Sequence, residues 1–341
     1  MQDKRKRFSV LISFLNEGAE VVKTVKSVRD TAGDAVDIIV LNDASTDGYP
    51  YAAELAPYNV RYHENSERIG SSAGKERCVQ LCETPYFLIL DAHCRMWTAD
   101  WLDKAVALMD RPESETALYC FACSYFFGDI DYPTEQHTTG YGGYLHYNVR
   151  SLYSAEWNMR NFASHGKGDE PFRIPVILGA NYMCSKKWWD KIGGHKGLGL
   201  YGREEAFVSI KTYMAGGSVY CYPAIRTGHK ARPNNAFPYP VAMTEIVHNE
   251  LVIAYVCAPN ELYEQVRAAI RKLYAAFPNL IKTAEELFDG HRDELDELRD
   301  NLQTIPDRRT YEYFDEINAG FQKRIGFDYR TIKEKNKELY K

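Results

Sequence analysis

Residues 85–93, Pro-Tyr-Phe-Leu-Ile-Leu-Asp-Ala-His, form a short apolar run that ends in an acid and a histidine. Two earlier runs have the same form, FSVLISF at 8–14 and DIIVL at 37–41, and polar turn residues follow each of them. Continuous apolar runs of this length are typical of strands buried on both faces of a parallel sheet. Helical patterns at 19–28 and 72–82 separate the three strands. This alternation predicts an α/β fold with a mostly parallel sheet flanked by helices.

The remainder of the chain divides into three further regions. Residues 124–172 are rich in Tyr, Gly, His and Asn and show little periodicity, which predicts a long, partly irregular insertion. Strand and helix patterns resume at 175–222, and three prolines in 232–240 indicate a boundary. Apolar stripes amid many charges then predict a helical C-terminal extension over 241–341. We therefore expect a main domain over 1–235 followed by that extension.

Composition excludes several classes of protein. The 341 residues carry 47 acidic and 42 basic side chains, a net charge of -5, which argues against a dedicated nucleic-acid coat protein. No apolar stretch approaches the roughly 18 residues that would span a bilayer, and the N-terminus resembles a first strand more than a signal peptide. We therefore expect a cytosolic protein whose eight cysteines are buried, reduced thiols, because the Cys78/Cys82 and Cys120/Cys123 pairs lack further ligands at zinc-site spacing.

Polar side chains follow all three predicted strands, at the edge where such sheets bind ligands. Asp91 and His93 are two residues apart in extended chain, so both side chains leave on one face and could bind one divalent cation. The same spacing also fits a strand-end turn with a helix-capping acid. Glu204 and Glu205 begin a predicted helix, where two acids could simply interact with the helix dipole. His229, taken alone, fits a structural histidine.

Five short motifs occur in a fixed order along residues 8–235. They are NEG at 16–18, NDASTDG at 42–48, DAH at 91–93, LYGREEAF at 200–207 and GHKAR at 228–232. Together they resemble the nucleotide-sugar glycosyltransferases of the GT-A fold, specifically family 2 and the polypeptide N-acetylgalactosaminyltransferase-like family. The resemblance implies a Rossmann-like GT-A catalytic domain over 1–235 and a nucleotide-sugar donor, expected to be a UDP-sugar.

The resemblance also implies a metal site and a donor site. In the family, a D-x-H pair and a later histidine hold manganese, which carries over to Asp91, His93 and His229. One carboxylate and two imidazoles suit Mn²⁺ better than Mg²⁺, the alternative ion. The donor-binding residues implied are Asn16, Glu17, Asp43, Gly70, Lys75, Asp91, Gly179 and Ala180.

The stretch GSSAGKER at 70–77, which enters the second predicted helix, resembles a small-residue stretch of the family but departs from it at two positions. Lys75 stands where an arginine is usual, and Glu76 where an asparagine is usual. Gly179 and Ala180 match a strand of small residues that lies beneath the donor sugar in the family. The lack of bulk there would leave room for a hexose.

The acidic pair Glu204 and Glu205 matches the catalytic segment of the resembled family. Inverting family 2 enzymes carry an acidic pair whose second member is the base, whereas the retaining N-acetylgalactosaminyltransferases have Glu-Asn there. Glu205 is therefore expected to be the general base of an inverting transfer, with Glu204 on the acceptor side.

Three alternatives remain open from the sequence. They are a retaining transferase, a donor hydrolase and a catalytically silent nucleotide-sugar-binding module that acts through its helical tail. The acceptor is also open among a glycan, a protein, a lipid carrier and a modified nucleic-acid base. Residues 124–172 and the tail are the expected places for acceptor choice.

Overall fold

The computed structural model describes residues 6–130, 132–134, 137–148, 152–161, 168–232, 237–302 and 311–325. Expectations for the remaining positions, including the end of the C-terminal extension, lie outside the described residues. The strands are β1 (Phe8–Phe14), β2 (Asp37–Asn42), β3 (Arg61–Glu64), β4 (Tyr86–Leu90), β5 (Cys94–Met96), β6 (Ala117–Phe126), β7 (Thr138–Asn148), β8 (Leu152–Asn161), β9 (Phe172–Arg173), β10 (Asn181–Ser185) and β11 (Ser218–Lys230). The α-helices are Ala19–Ala32, Tyr51–Leu55, Ser71–Leu81, Trp101–Met109, Lys186–Ile192, Glu204–Met214, Met243–Cys257, Asn260–Leu273, Pro278–Gly290, Arg292–Leu302 and Tyr311–Ile325.

One half of the central sheet is parallel, in the order β3-β2-β1-β4. Val10 of β1 lies opposite Ile38 of β2 on one side and Leu88 of β4 on the other. Helices cover both faces of this half, which is why FSVLISF and its neighbouring strands are apolar throughout. The chain moves outward from β1 to β3 and returns to β4, so the strand order reverses between β1 and β4. Open α/β sheets bind ligands at such a switch point.

The other half of the sheet is mixed. β10 runs antiparallel to both β4 and β6, while β11 is parallel to β6 and antiparallel to β5. The register of β11 shifts between Tyr222 and Arg226, where Pro223 cannot donate to the ladder. Beyond this bulge His229 lies opposite Cys94 of β5, at the edge where β4 ends. The α/β fold is confirmed, with parallel pairing concentrated in its N-terminal half.

The prediction of a partly irregular insertion at 124–172 is wrong for β6, β7 and β8. β6 continues to Phe126, and β7 and β8 form a long antiparallel hairpin beside it. The hairpin register shifts between Gly140 and Gly143, which breaks the alternation that would reveal a strand in the sequence. Tyr and Thr, which are abundant in β7, favour strands through side-chain packing.

Helices follow one another over the described part of residues 241–341, as the apolar stripes predict. Helix Met243–Cys257 is buried along most of its length and packs against helices Glu204–Met214, Asn260–Leu273 and Pro278–Gly290. Helix Tyr311–Ile325 packs on β7, where the Asn318 amide exchanges hydrogen bonds with the backbone N and O of Leu145. The described helices include none that is long and apolar enough to cross a membrane.

Candidate active site

A cleft of about 880 Å³ opens beyond the carboxyl ends of β1, β2 and β4. Its volume lies within the usual range for small-molecule sites. The fold brings together side chains and backbone from distant parts of the sequence. The predicted site residues that line the cleft are Glu17, Asp43, Gly70, Lys75, Asp91, His93, Gly179, Ala180, Glu204, Glu205 and His229.

Asp91, His93 and His229 converge in the middle of this cleft. β4 ends just before Asp91, and the backbone N of Lys230 donates to the O of His93 at 3.0 Å, which fixes His229 beside the D-x-H segment. His93 Nε2 and His229 Nε2 are 3.1 Å apart, and His229 Nε2 is 3.6 Å from Asp91 Oδ2. One ligand atom from each residue lies within 4.8 Å of the others. The three side chains therefore fit a single divalent cation.

The charge states of this cluster also suit a cation. Burial would raise the pKa of Asp91, but the Lys75 charge and the His229 hydrogen bond hold it well below its usual range. Burial, together with His93, lowers the pKa of His229. The carboxylate is thus ionised and the His229 imidazole neutral, the forms that bind metals.

Glu17 and Arg232 stand behind His93. Glu17 Oε1 is 3.3 Å from His93 Nδ1, and the Arg232 guanidinium donates to the same carboxylate oxygen. Burial would raise the pKa of Glu17, but His93 and Arg232 lower it, so the carboxylate stays ionised. A carboxylate on the far nitrogen of a metal-binding histidine orients the ring toward the ion. Arg232 was missed as a site residue, although it ends the GHKAR motif.

The two departures from the family pattern have different surroundings. Lys75 Nζ is buried 3.9 Å from Asp91 Oδ1 and 3.7 Å from Glu204 Oε1. Burial lowers the pKa of Lys75, yet its acidic neighbours, Glu204 first, raise it well above the ordinary value. Glu76 instead accepts from Trp189 Nε1 at 3.0 Å and from the backbone N of His195 at 3.1 Å. Lys75 therefore belongs to the site, while Glu76 supports the packing around a buried tryptophan.

Asp43 shapes the loop that follows β3. Its carboxylate accepts from Asn65 Nδ2 at 2.7 Å and from the backbone N atoms of Ile69 and Gly70 at 2.9 and 2.8 Å. Only 3% of Asp43 is exposed. Asp43 thus lines the cleft and holds Gly70 at the start of helix Ser71–Leu81.

Asn16 is the one predicted site residue that does not line the cleft. Its Oδ1 accepts from the backbone N of Thr46, and its Nδ2 donates to the O of Pro238 at 3.2 Å. Its own backbone N donates to Ser45 Oγ at 2.9 Å. Asn16 therefore ties together three loops around the cleft.

Glu204 and Glu205 begin helix Glu204–Met214 and line the same cleft as Asp91, His93 and His229. Glu204 is 5% exposed and pairs with Lys75. Burial, and next the charge of Glu204, raise the pKa of Glu205 to about 7. A Cβ at Gly179 would lie 2.1 Å from Glu205 Oε1, so a glycine is needed for this carboxylate to lie against the segment that precedes β10. The two acids thus have separate roles in the site, one ion-paired and one able to exchange a proton near neutrality.

An aromatic cluster that was not predicted borders the cleft. The ring of Tyr201 lies 5.2 Å from that of Phe237 and 6.1 Å from that of Tyr239, between centroids. The Arg68 guanidinium lies over Tyr239 at 4.9 Å. The sequence signal was the FPYP run at 237–240, which was used only as a boundary.

Comparison with known proteins assigns the chain to a family. Its sequence matches glycosyl transferase family 2 over residues 9–193, and the chain belongs to this family. The match ends before Glu204, Glu205 and His229, which the fold nevertheless brings to the same cleft as Asp91 and His93.

Several similar proteins are polypeptide N-acetylgalactosaminyltransferases. The chain is 26% identical over 239 residues to polypeptide N-acetylgalactosaminyltransferase 14 of Homo sapiens, covering 68% of this chain and 42% of that protein. It is 26% identical over 297 residues to putative polypeptide N-acetylgalactosaminyltransferase 13 of Drosophila melanogaster, covering 78% and 50%. The chain thus spans about half the length of these relatives.

A solved structure shares the fold. GalNAc-T7 with UDP, GalNAc and Mn²⁺ superposes with a TM-score of 0.63 at 20% identity, over 82% of this chain and 54% of that chain. This likeness confirms the GT-A type of sheet and flanking helices.

Proposed function

We propose that this protein is a metal-dependent glycosyltransferase that moves a sugar from a nucleotide-sugar donor to an acceptor hydroxyl. The observation that carries the proposal is the placement of Asp91, His93 and His229 in one cleft with Glu205. Three side chains that can hold a cation, beside a carboxylate of pKa about 7, provide both functions that such a transfer needs, a stabilised leaving group and a base. Family membership and the named transferases among the relatives support the same conclusion.

The donor is expected to be a UDP-sugar and the ion Mn²⁺, as in the GalNAc-T7 complex. Asp91, His93 and His229 would hold the ion, with Glu17 orienting His93. A bound divalent cation supplies positive charge opposite the departing diphosphate. The Glu205 carboxylate occupies the space that the missing side chain of Gly179 leaves. The nucleotide is expected at the loop that Asp43 organises.

We further propose direct displacement with inversion. Glu205 is positioned as the base that takes the acceptor proton, because its carboxylate is desolvated and titrates close to neutral pH. Glu204 is less suited, since its carboxylate is already paired with the buried Lys75.

Turnover of UDP-sugars with and without acceptors tests the proposed function. We expect Mn²⁺-dependent UDP release that accelerates when a matching acceptor is added. Equal release without any acceptor would indicate a hydrolase, and binding of UDP-sugars without release would indicate a silent module. NMR of the product from an α-linked donor decides the stereochemistry: a β-linked product supports inversion, and an α-linked product excludes single displacement.

A further inference from the structure

The segment Gly199 to Arg203, which leads into the acidic pair, is hydrogen-bonded through its backbone to the C-terminal extension. The N of Gly199 donates to Asn249 Oδ1 at 2.7 Å. Asn249 Nδ2 in turn donates to the O atoms of Tyr201 and Gly202 at 3.0 and 2.7 Å. One fully buried amide thus satisfies three backbone groups of a segment that has no regular secondary structure.

Two further side chains of helix Met243–Cys257 reinforce this attachment. The N of Leu200 donates to Glu245 Oε2 at 2.9 Å, and Arg203 Nη2 donates to Glu250 Oε1 at 2.7 Å. Arg203 has a left-handed backbone with φ 72°, a conformation that costs energy for a residue with a Cβ. It immediately precedes Glu204, so the contact with Glu250 helps to hold the helix start in its observed direction.

The glycines of the segment fit the same interface. A Cβ at Gly199 would lie 2.2 Å from Glu245 Oε2, and one at Gly202, where φ is 96°, would lie 2.7 Å from Ile246 Cδ1. Side chains of helix Met243–Cys257 thus lie against these glycines, and an added Cβ would displace them.

The opposite side of the segment contacts the cleft. The N of Ser71 donates to the O of Leu200 at 2.8 Å, while Tyr201 and Glu204 line the cleft itself. The segment is thus held between helix Met243–Cys257 and the active site, and its position sets where the two acids begin.

We propose that Asn249 is a positioning residue for the Glu204–Glu205 pair, so that the C-terminal extension forms part of the catalytic apparatus. This inference rests on the proposed function for its catalytic consequence. Asn249 touches neither acid and acts through the backbone of residues 199–203.

The substitution Asn249→Asp tests the inference. An aspartate can still accept from Gly199 but cannot donate to Tyr201 and Gly202, so the segment should shift. We expect kcat to fall about 10-fold or more, because small displacements of catalytic groups are costly. The pH midpoint of kcat/KM should also move, while the affinity for Mn²⁺ and UDP should change less than about twofold. The milder variant Glu250→Gln should change kcat and the pH midpoint in the same direction, by less.

Asn318→Asp is the matched control. Asn318 is equally buried and also bonds a backbone N and O, but it contacts β7, away from the cleft. It should lower the melting temperature as Asn249→Asp does and leave kcat and the pH midpoint unchanged. Equal kinetic effects of the two aspartate variants, or none from either, would overturn the inference.

Hydrogen exchange provides a readout that needs no turnover. Amides of residues 199–205 should exchange faster in Asn249→Asp than in the wild type and be unaffected in Asn318→Asp. If the wild type turned over no donor, the proposed function would fail, while unchanged exchange in Asn249→Asp would reject the positioning role by itself.

Discussion

Glu204 and Glu205 are adjacent, yet their surroundings give them different chemistry. Glu204 is paired with a buried lysine, and Glu205 faces Gly179 in a desolvated pocket. The sequence motif could identify the acids but not their environments, because Lys75 and Gly179 come from parts of the chain far from residues 204 and 205.

Replacing Glu205 with Gln should lower kcat by about 10²- to 10⁴-fold with little change in donor affinity, since only the base is removed. In the wild type, kcat/KM should rise with pH and reach half of its plateau near pH 7, because the base acts only when deprotonated. Steady-state kinetics between pH 5 and 9 measure both effects. Glu204→Gln is the comparison, and a larger loss of kcat there would transfer the role to Glu204.

The raised pKa of Glu205 also has a consequence for stability. Its pKa is higher folded than unfolded, so protonation favours the folded state, and this contribution is lost as pH rises through about 7. Glu205→Gln should therefore melt higher than the wild type at pH 8 and show no such advantage at pH 4. A variant that is less stable at pH 8 would contradict the desolvation of this carboxylate.

Glu17→Gln should weaken Mn²⁺ binding by about 10- to 100-fold, because an amide orients His93 less firmly than a carboxylate does. Isothermal titration with Mn²⁺ measures this directly, without reference to turnover. Lys23→Gln is a suitable control, since Lys23 is an ion-paired residue of the adjacent helix outside the cleft. Unchanged Mn²⁺ affinity in Glu17→Gln would mean that Glu17 only anchors Arg232.

The glycines around residues 193–202 explain how the elements of the site approach one another. A Cβ at Gly193 would lie 2.7 Å from Leu298 Cδ1, and one at Gly197 would lie 2.5 Å from Leu295 Cδ2. The sequence shows this glycine-rich run plainly, but not its partners, which lie about 100 residues later in the C-terminal helices. A pattern confined to one segment cannot identify a surface contributed by another.

Gly70→Ala should destabilise the protein by about 2 kcal/mol or more, because φ is 90° and a Cβ would lie 2.4 Å from the backbone of Leu200. Backbone cannot yield as a flexible side chain does. Gly320→Ala is the control, since nothing lies within 4 Å of its added Cβ, and a helical alanine should stabilise by about 0.5–1 kcal/mol. Equal denaturation midpoints of the two variants would refute the close packing at Gly70.

Strands β1, β2 and β4 could be predicted because they are largely buried on both faces and therefore mostly apolar. β3 could not be predicted, because this strand at the edge of the sheet is short and its residues Arg61–Glu64 are mostly polar. The predicted strand and helix patterns end at residue 222, because Pro223 interrupts β11, the strand that then carries His229 to the cleft. Bulges and edges therefore account for the main differences between the predicted and observed sheets.

Three separate parts of the fold contribute to the active site. The parallel half of the sheet provides Asp91 and His93, β11 provides His229, and the C-terminal helices hold the segment before Glu204. The sequence predicted the first two contributions through motifs and treated the C-terminal helices as an appendage. The acceptor stays open among the four classes that the sequence allows, and the cytosolic location stays a prediction.

Calorimetric titration of Mn²⁺, and then of UDP in its presence, into the wild type and His229→Ala tests the metal-dependent donor site. The wild type should bind Mn²⁺ at one site and bind UDP much more tightly with the ion than in excess chelator. His229→Ala should lose both affinities together, because one ligand atom of the cluster is removed. Undiminished UDP binding and sugar transfer by the wild type in excess chelator would contradict a metal-dependent transferase.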